Sequence, residues 1–197
     1  MNQRLQKNAV SDSALAQLRV PPHSIEAEQS VLGGLLLDNQ AWDRMGDLVT
    51  DGDFYRDEHR RIFRQIRNLL ERSRPADVVT VAEALEGAGE GEQTGGLAYL
   101  GELAANTPSA ANIRRYAEIV RERAVLRQLV ATADEIAGDA LNPLGRDAET
   151  LLDEAESKIF AIAEAGAGHS DGFVHINPLL TQVVERIQEL HDRDNPS

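Results

Sequence analysis

The 197-residue sequence contains no cysteine, few aromatic residues and only two lysines. The absence of cysteine excludes disulfide scaffolds, cysteine-ligated zinc sites and thiol nucleophiles. Phe, Trp and Tyr make up only 4% of the chain, whereas Ala, Leu and Glu are frequent, which favours helices over sheets. No apolar run approaches the roughly 20 residues that span a bilayer, and the first 20 residues lack a signal-peptide core. We therefore expect a soluble, cytoplasmic, helical protein with no membrane partner.

The scarcity of lysine also excludes one class of enzyme site. A phosphate-binding P-loop needs a lysine followed by Ser or Thr, but Lys7 precedes Asn and Lys158 precedes Ile. No G-x-S-x-G nucleophile motif is present. The densest group of potential metal ligands has neither calcium-loop nor zinc-helix spacing, so we interpret it as a solvated turn and helix cap; it comprises Asp51, Asp53, Asp57, Glu58 and His59. We expect no catalytic, cofactor or metal site in this chain.

The net charge of −13 argues against the whole chain being a nucleic-acid clamp, because such a chain repels phosphate at long range. One segment differs: residues 56–74 hold seven arginines against three acids. Four of these arginines share the face of a predicted helix opposite its apolar side, namely Arg56, Arg60, Arg64 and Arg67. This face is a candidate contact for nucleic acid or an acidic partner. No aromatic residues are interleaved for base stacking, so a solvated arginine-rich face is the simpler interpretation.

Hydrophobic spacing and turn residues predict an all-α fold: a small helical globular head, a long antiparallel helical hairpin, a flexible hinge and a terminal linker helix. The predicted boundaries are 1–20 for a flexible tail, 21–108 for the head, 109–165 for the hairpin, 166–176 for the hinge, 177–192 for the linker helix and 193–197 for a second tail. Ser24 is the predicted cap of the first helix. Gly33 and Gly34 within that helix indicate a close approach of another backbone.

Capping and turn residues between positions 40 and 140 predict three further helix boundaries. A short helix is predicted from about Gln40 to Leu48. Residues 77–79 are predicted to be extended, with Thr80 and Glu83 forming a capping box for the helix that follows. Ser109 is the predicted cap of the first hairpin arm, which is expected to run over residues 110–140.

Two apolar stripes extend further than this chain alone can cover. On the hairpin the stripe comprises Leu126, Leu129, Val130, Ala133, Ile136, Leu151, Leu152 and Ile159. Pairing with the hairpin of a second copy, in a four-helix arrangement, is the simplest way to bury it; packing against the chain's own head is the alternative. Residues 128–170 hold nine acids and two bases, which suits a basic partner.

The terminal helix carries the second stripe, on about four turns. An isolated helix of this length is marginal in water, so we expect it to dock in a groove elsewhere, with its own domain as the alternative. The residues of this docking stripe are Leu179, Leu180, Val183, Val184, Ile187 and Leu190.

Seven motifs, in this order, resemble those of the bacterial replicative DNA helicases of the DnaB family. The resemblance extends from about residue 20 to about residue 190. The motifs are Val20-Pro-Pro-His-Ser-Ile-Glu-Ala-Glu-Gln-Ser-Val-Leu-Gly-Gly-Leu-Leu-Leu-Asp, Asp53-Phe-Tyr-Arg, His59-Arg-Arg-Ile-Phe, Asp77-Val-Val-Thr-Val, Gly95-Gly-Leu-Ala-Tyr-Leu, Asn106-Thr-Pro-Ser and Arg121-Glu-Arg-Ala-Val-Leu-Arg.

The resemblance implies an N-terminal domain that dimerises and, as three dimers, forms a collar on a hexameric ring. It also implies a linker helix that docks on the motor domain of the adjacent subunit, and contacts with primase and a helicase loader at the replication fork. The motor domain, with its P-loop, arginine finger and DNA loops, is absent from this sequence. The resemblance therefore implies an N-terminal fragment, while ATP, Mg, single-stranded DNA and strand separation belong to the parent helicase.

Two other functions remain open at the level of sequence. The first alternative to the helicase fragment is a stand-alone helical adaptor or loader without a motor domain. The second is a nucleic-acid-binding module that uses the Arg56–Arg74 helix.

Overall fold

The computed structural model describes residues 20–167, and this part of the chain contains helices and no strands. Six α-helices follow one another: α1 (Ile25–Leu37), α2 (Asp57–Glu71), α3 (Val78–Gly87), α4 (Gly96–Asn106), α5 (Ile113–Leu141) and α6 (Ala148–Ala167). Short 3₁₀ helices lie at Asn39–Arg44, Asp51–Asp53 and Glu92–Thr94. The prediction of an all-α fold is confirmed. The hinge predicted to begin at residue 166 begins later, because α6 continues to Ala167. The rest of the predicted hinge, the predicted linker helix and the predicted tails up to residue 19 and from residue 193 lie outside the described residues.

The beginning of α1 follows directly from its sequence. The Ser24 side chain accepts a hydrogen bond from the Ala27 backbone N–H at 3.2 Å, which satisfies one of the free donors at the helix start. Glu26 and Glu28 lie in the first turn, where the helix dipole favours negative charge. The predicted cap is therefore confirmed.

The prediction that residues 77–79 are extended holds only at Asp77, because Val78 and Val79 are the first two residues of α3. Asp77 is the N-cap of α3, because its carboxylate accepts hydrogen bonds from the backbone N–H groups of Val79 and Thr80, both at 2.9 Å. The Thr80 hydroxyl in turn accepts from the Asp77 N–H, which completes a capping box three residues earlier than predicted. The β-branched pair Val78–Val79 favours an extended chain, but the aspartate cap overrides this weak preference.

Two other helix boundaries also differ from prediction. The first hairpin arm, α5, begins after Asn112 and not after Ser109. The Ser109 hydroxyl accepts a hydrogen bond from the Ala111 N–H, and so stabilises the turn that precedes the helix. The segment predicted as a helix over 40–48 forms only the 3₁₀ helix Asn39–Arg44.

The core of the head surrounds α1, which packs against α2, α4 and α5. Its Val31, Leu32 and Leu35 side chains are completely buried. The first half of α5 belongs to this core as well, since Ile113, Ala117, Val120 and Ala124 are buried. No residue of α5 beyond Ala124 is buried. The second half of α5 and the antiparallel helix α6 therefore form a hairpin that projects from the head.

Gly33 allows the backbones of α1 and α4 to come close together. A Cβ atom at this position would lie 2.3 Å from the Leu103 carbonyl oxygen and 2.1 Å from Oγ1 of Thr107. A backbone atom cannot move aside as a flexible side chain can. The close approach predicted from the glycine pair is confirmed at Gly33.

Gly33→Ala is expected to lower the free energy of unfolding by about 2–3 kcal/mol, because the added methyl group forces α1 away from α4. Gly101→Ala is the matched control: Gly101 is helical in α4, and a Cβ atom there meets nothing within 4 Å. This control should raise the free energy of unfolding by roughly 0.5–1 kcal/mol. Urea unfolding of both variants, followed by circular dichroism, measures the difference. Equal effects of the two substitutions would contradict the role of Gly33.

Within residues 20–167, none of the helices combines the length and the apolar character that crossing a membrane requires.

Candidate interaction surface

The outer half of the hairpin exposes large apolar side chains on both of its helices. Leu129 and Val130 of α5 are 46% and 51% exposed, and Leu152 and Ile159 of α6 are 70% and 50% exposed. Ala133 is exposed between them, whereas three other residues of the predicted stripe are only partly exposed, namely Leu126, Ile136 and Leu151. Nothing in the described part of the chain covers the exposed members. Their role in self-association stays a prediction.

Phe160 extends this apolar surface and was not predicted from the sequence. Its side chain is 60% exposed. At 3.6 residues per turn, Leu152, Ile159 and Phe160 lie within roughly 100° of the α6 circumference. The sequence prediction considered only residues at helical spacing from Leu151. A search for all apolar residues within this arc of the α6 surface would have identified Phe160. We call Leu129, Val130, Ala133, Leu152, Ile159 and Phe160 the hairpin face.

A groove of about 390 Å³ lies between α5 and α6 near the hairpin turn. Three of its lining residues are alanines, whose short side chains leave the space open. Its lining residues are Ile136, Ala140, Ala148, Leu151, Leu152 and Ala155, with Asp139 and Lys158 at its polar part. The groove is an apolar feature next to the hairpin face.

Ion pairs hold the two arms together beside this groove. The Asp139 carboxylate accepts hydrogen bonds from Nζ of Lys158 and Nη2 of Arg146, both at 2.8 Å. The bond from Lys158 and then that from Arg146 lower the pKa of Asp139 from 3.8 to about 2. Because this pKa is lower in the folded chain than in the unfolded chain, the interaction stabilises the hairpin fully above pH 4. It is lost as the pH falls towards 2.

The arginines of α2 are paired with other groups of the head. Arg64 and Arg67 both bind the Asp51 carboxylate, at 3.0 and 3.1 Å. Partial burial tends to raise the pKa of Asp51, but the hydrogen bond from Arg64 and the charge of Arg67 outweigh this effect and lower it. Arg60 donates through Nε to the Phe54 carbonyl at 2.6 Å.

Arg56 completes the predicted basic face and forms an ion pair with Glu58. All four arginines therefore contact oxygen atoms of the chain itself, which gives each of them a structural role. Binding of nucleic acid or an acidic partner to this face stays a prediction.

A buried polar network joins three helices of the head. Glu28 of α1 and His59 of α2 are 1% and 0% exposed, and their Oε2 and Nδ1 atoms lie 2.7 Å apart. The other ring nitrogen of His59 lies 2.7 Å from the hydroxyl of Tyr99 on α4. Glu28 also accepts hydrogen bonds from the N–H groups of Tyr55 and Arg56, at 2.6 and 3.4 Å, just before α2 begins. The carboxylate of one helix therefore caps the next helix.

The sequence interpretation of residues 51–59 as a solvated turn is only partly correct, because Asp53 and His59 are buried. A signal for the network existed: Glu28 lies on the apolar side of α1, three and four residues before Val31 and Leu32. His59 likewise lies three and four residues before the buried Ile62 and Phe63 on α2. Within the described residues, no group of three or more His, Asp or Glu side chains is placed to hold a metal ion. The predicted docking stripe from Leu179 to Leu190 lies outside those residues.

A scan against family models matches residues 20–122 to the DnaB-like helicase N terminal domain. The replicative DNA helicase DnaB of Haemophilus influenzae is 44% identical over 187 residues, which are 95% of this chain and 40% of that protein. The replicative DNA helicase DnaB of Geobacillus stearothermophilus is 41% identical over 182 residues, which are 92% of this chain and 39% of that protein. The chain thus spans about 40% of the length of the curated relatives it matches.

Solved structures show the same fold. The N-terminal domain of DnaB helicase from Mycobacterium tuberculosis superimposes with a TM-score of 0.69 and 38% identity, over 72% of this chain and 99% of that one. A DnaB-like replicative helicase, described together with its interactions with primase, has a TM-score of 0.62 and 24% identity. That match covers 84% of this chain and 36% of the other.

Proposed function

This chain belongs to the family of DnaB-like helicase N-terminal domains, and we propose that it forms the N-terminal collar and linker region of a hexameric replicative DNA helicase. Its role is to dimerise subunits, to assemble the ring and to recruit partner proteins. The observation that carries this proposal is the hairpin face, where five large apolar side chains are each 46–70% exposed.

A second copy of the hairpin is the partner that fits this face best. Both arms contribute apolar side chains. Two hairpins related by a two-fold axis can therefore bury the same set of residues on each copy. Full burial of a large apolar side chain contributes roughly 1.5–3 kcal/mol, which offsets the entropic cost of association only when several are buried together. The acidic character of residues 128–170 opposes the pairing of two copies, so the attraction must come from apolar contact.

Unwinding of duplex DNA with ATP and Mg belongs, in this proposal, to a motor domain of the whole helicase, which would also hold single-stranded DNA in its ring. The linker stripe from Leu179 to Leu190 is proposed to dock on the motor domain of the adjacent subunit. The support for these roles is that the relatives from Haemophilus influenzae, Pasteurella multocida and Geobacillus stearothermophilus are replicative DNA helicases.

Primase and a helicase loader are the proposed protein partners. A solved DnaB-like helicase with the same fold is described with its interactions with primase, which supports primase as a partner here. The acidic outer hairpin suits basic surfaces on such partners. A stand-alone adaptor without a motor domain would have the same hairpin face, so translation of the gene beyond Ser197 distinguishes the two. A P-loop motif within about a hundred residues supports the helicase.

The proposed function predicts that the chain forms dimers at micromolar concentration and that salt strengthens the association. Salt screens the repulsion between two acidic hairpins and favours apolar burial. Sedimentation equilibrium in 50 mM and 500 mM NaCl measures both effects; we expect a dissociation constant roughly three- to tenfold lower at the higher salt concentration. A monomer at tens of micromolar in both buffers would contradict the proposal. Weakening by salt would indicate an interface built on opposite charges in place of the hairpin face.

A further inference from the structure

Arg121 connects the head to both arms of the hairpin. Its side chain extends from α5, and Nη1 donates a hydrogen bond to Oδ1 of Asp53 at 2.6 Å. Nη2 donates to the carbonyl oxygen of Ala165 in the last turn of α6. The Asp53 side chain is 3% exposed and that of Arg121 is 16% exposed, so the ion pair between them is shielded from water and from salt. One guanidinium group thus contacts the head and the end of α6.

The head side of this connection is firmly held. The second carboxylate oxygen of Asp53 accepts hydrogen bonds from the backbone N–H of Thr50 at 2.7 Å and from its hydroxyl at 3.1 Å. The Asp53 carbonyl accepts from Arg127, which lies almost two turns after Arg121 on α5 and also donates to the Pro22 carbonyl at 2.8 Å. Asp53 therefore has little freedom to follow a movement of α6.

The α6 side has no comparable support. Helix α6 packs mainly against α5. Its ion pairs, Glu154 with Arg146 and Lys158 with Asp139, lie nearer the hairpin turn. Within residues 20–167, the only hydrogen-bonded path from the head to α6 runs through Arg121. Nε of Arg121 is buried without a hydrogen-bond partner there, which is an unfavourable state for a donor. The two Nη contacts hold the side chain in place despite this cost.

We propose that Arg121 is a clamp that fixes the last turn of α6, and with it the end of the second hairpin arm, to the head. Arginine suits this position because its planar group offers two nitrogens to two different acceptors at once. The clamp has a role in the helicase only if residues 177–192 dock on a neighbouring motor domain, and in that respect it rests on the proposed function. The clamp itself is a property of the described residues and is tested without any partner.

Hydrogen–deuterium exchange of the full chain tests the clamp. In Arg121→Lys we expect the amides of residues 160–167 to exchange about tenfold faster, because the single ammonium keeps its pairing with Asp53 and releases Ala165. Amides of α1 and of residues 148–155 should exchange as in the unchanged chain. Arg115→Gln is the control: Arg115 lies on the same helix, is 69% exposed and pairs only with Glu118, so its exchange pattern should be unchanged.

Two results would overturn the clamp. One is unchanged exchange at residues 160–167 in Arg121→Lys, and the other is equally fast exchange throughout the chain, which would indicate general destabilisation. Arg121→Gln provides a second variant, with the same local acceleration expected on top of a lower unfolding midpoint. Sedimentation of the unchanged chain separates this proposal from the previous one. If the unchanged chain is a dimer and exchange in Arg121→Lys is unaltered, the clamp alone is refuted; if the unchanged chain is a monomer and exchange in Arg121→Lys is accelerated, self-association alone is refuted.

Discussion

Replacing Leu152 and Ile159 together by glutamate is expected to weaken self-association of the chain at least 100-fold. Both side chains lie on the hairpin face and are 70% and 50% exposed. A two-fold dimer of this variant places four carboxylates in an apolar contact, and like charges brought together without water cost several kcal/mol. Because neither residue is buried in the single chain, helical content and the unfolding midpoint should change little. Sedimentation equilibrium and circular dichroism measure the two properties.

Val79→Glu is the matched control for this experiment. Val79 lies on α3 in the head and is 60% exposed, so the substitution places a glutamate at an exposed apolar position away from the hairpin. Its dissociation constant should match that of the unchanged chain. If Val79→Glu weakens association as much as the double variant does, the contact does not lie on the hairpin face. If the double variant remains a dimer of unchanged affinity, the proposed role of the hairpin face is refuted.

Glu28→Ala is expected to lower the free energy of unfolding by about 3–5 kcal/mol. The substitution leaves His59 buried beside an empty space and removes the acceptor of the Tyr55 and Arg56 N–H groups. Removing one member of a buried hydrogen-bonded pair costs this much because the remaining polar groups keep their desolvation penalty. Urea unfolding followed by circular dichroism gives the value.

Glu26→Ala serves as the control, since Glu26 has the same side chain, lies in the same turn of α1 and is exposed. It should lower the free energy of unfolding by no more than about 0.5 kcal/mol. A double-mutant cycle between Glu28→Ala and His59→Ala should give an interaction energy of at least about 1 kcal/mol. If Glu28→Ala and Glu26→Ala differ by less than 1 kcal/mol, the buried network does not stabilise the head.

Features governed by neighbouring residues were predictable from the sequence. The cap at Ser24, the inward faces of α1 and α2 and the two arms of the hairpin depend on residues within one or two helical turns. The start of α3 was missed because Asp77 and Thr80 are both good capping residues, and only the hydrogen bonds show that Asp77 precedes the helix. Sequence signals identify a helix more securely than its first residue.

The polar contacts of the head could not be predicted in the same way. His59 is separated by 31 residues from Glu28 and by 40 from Tyr99, so their contact depends on how three helices pack. The basic face on α2 was visible as a pattern, but Asp51, which binds Arg64 and Arg67, reaches them from a preceding 3₁₀ helix. Charge along a sequence therefore describes a surface only after the positions of the nearby acids are known.

Because α5 belongs to the head up to Ala124 and to the hairpin from there to Leu141, it acts as a rigid lever. The free part of this helix is about 26 Å long at 1.5 Å per residue. A rotation of the head by about 10° would therefore displace the hairpin turn by roughly 4–5 Å. In the proposed dimer, a small rotation of one head would reach the other copy as a displacement comparable to one helical turn.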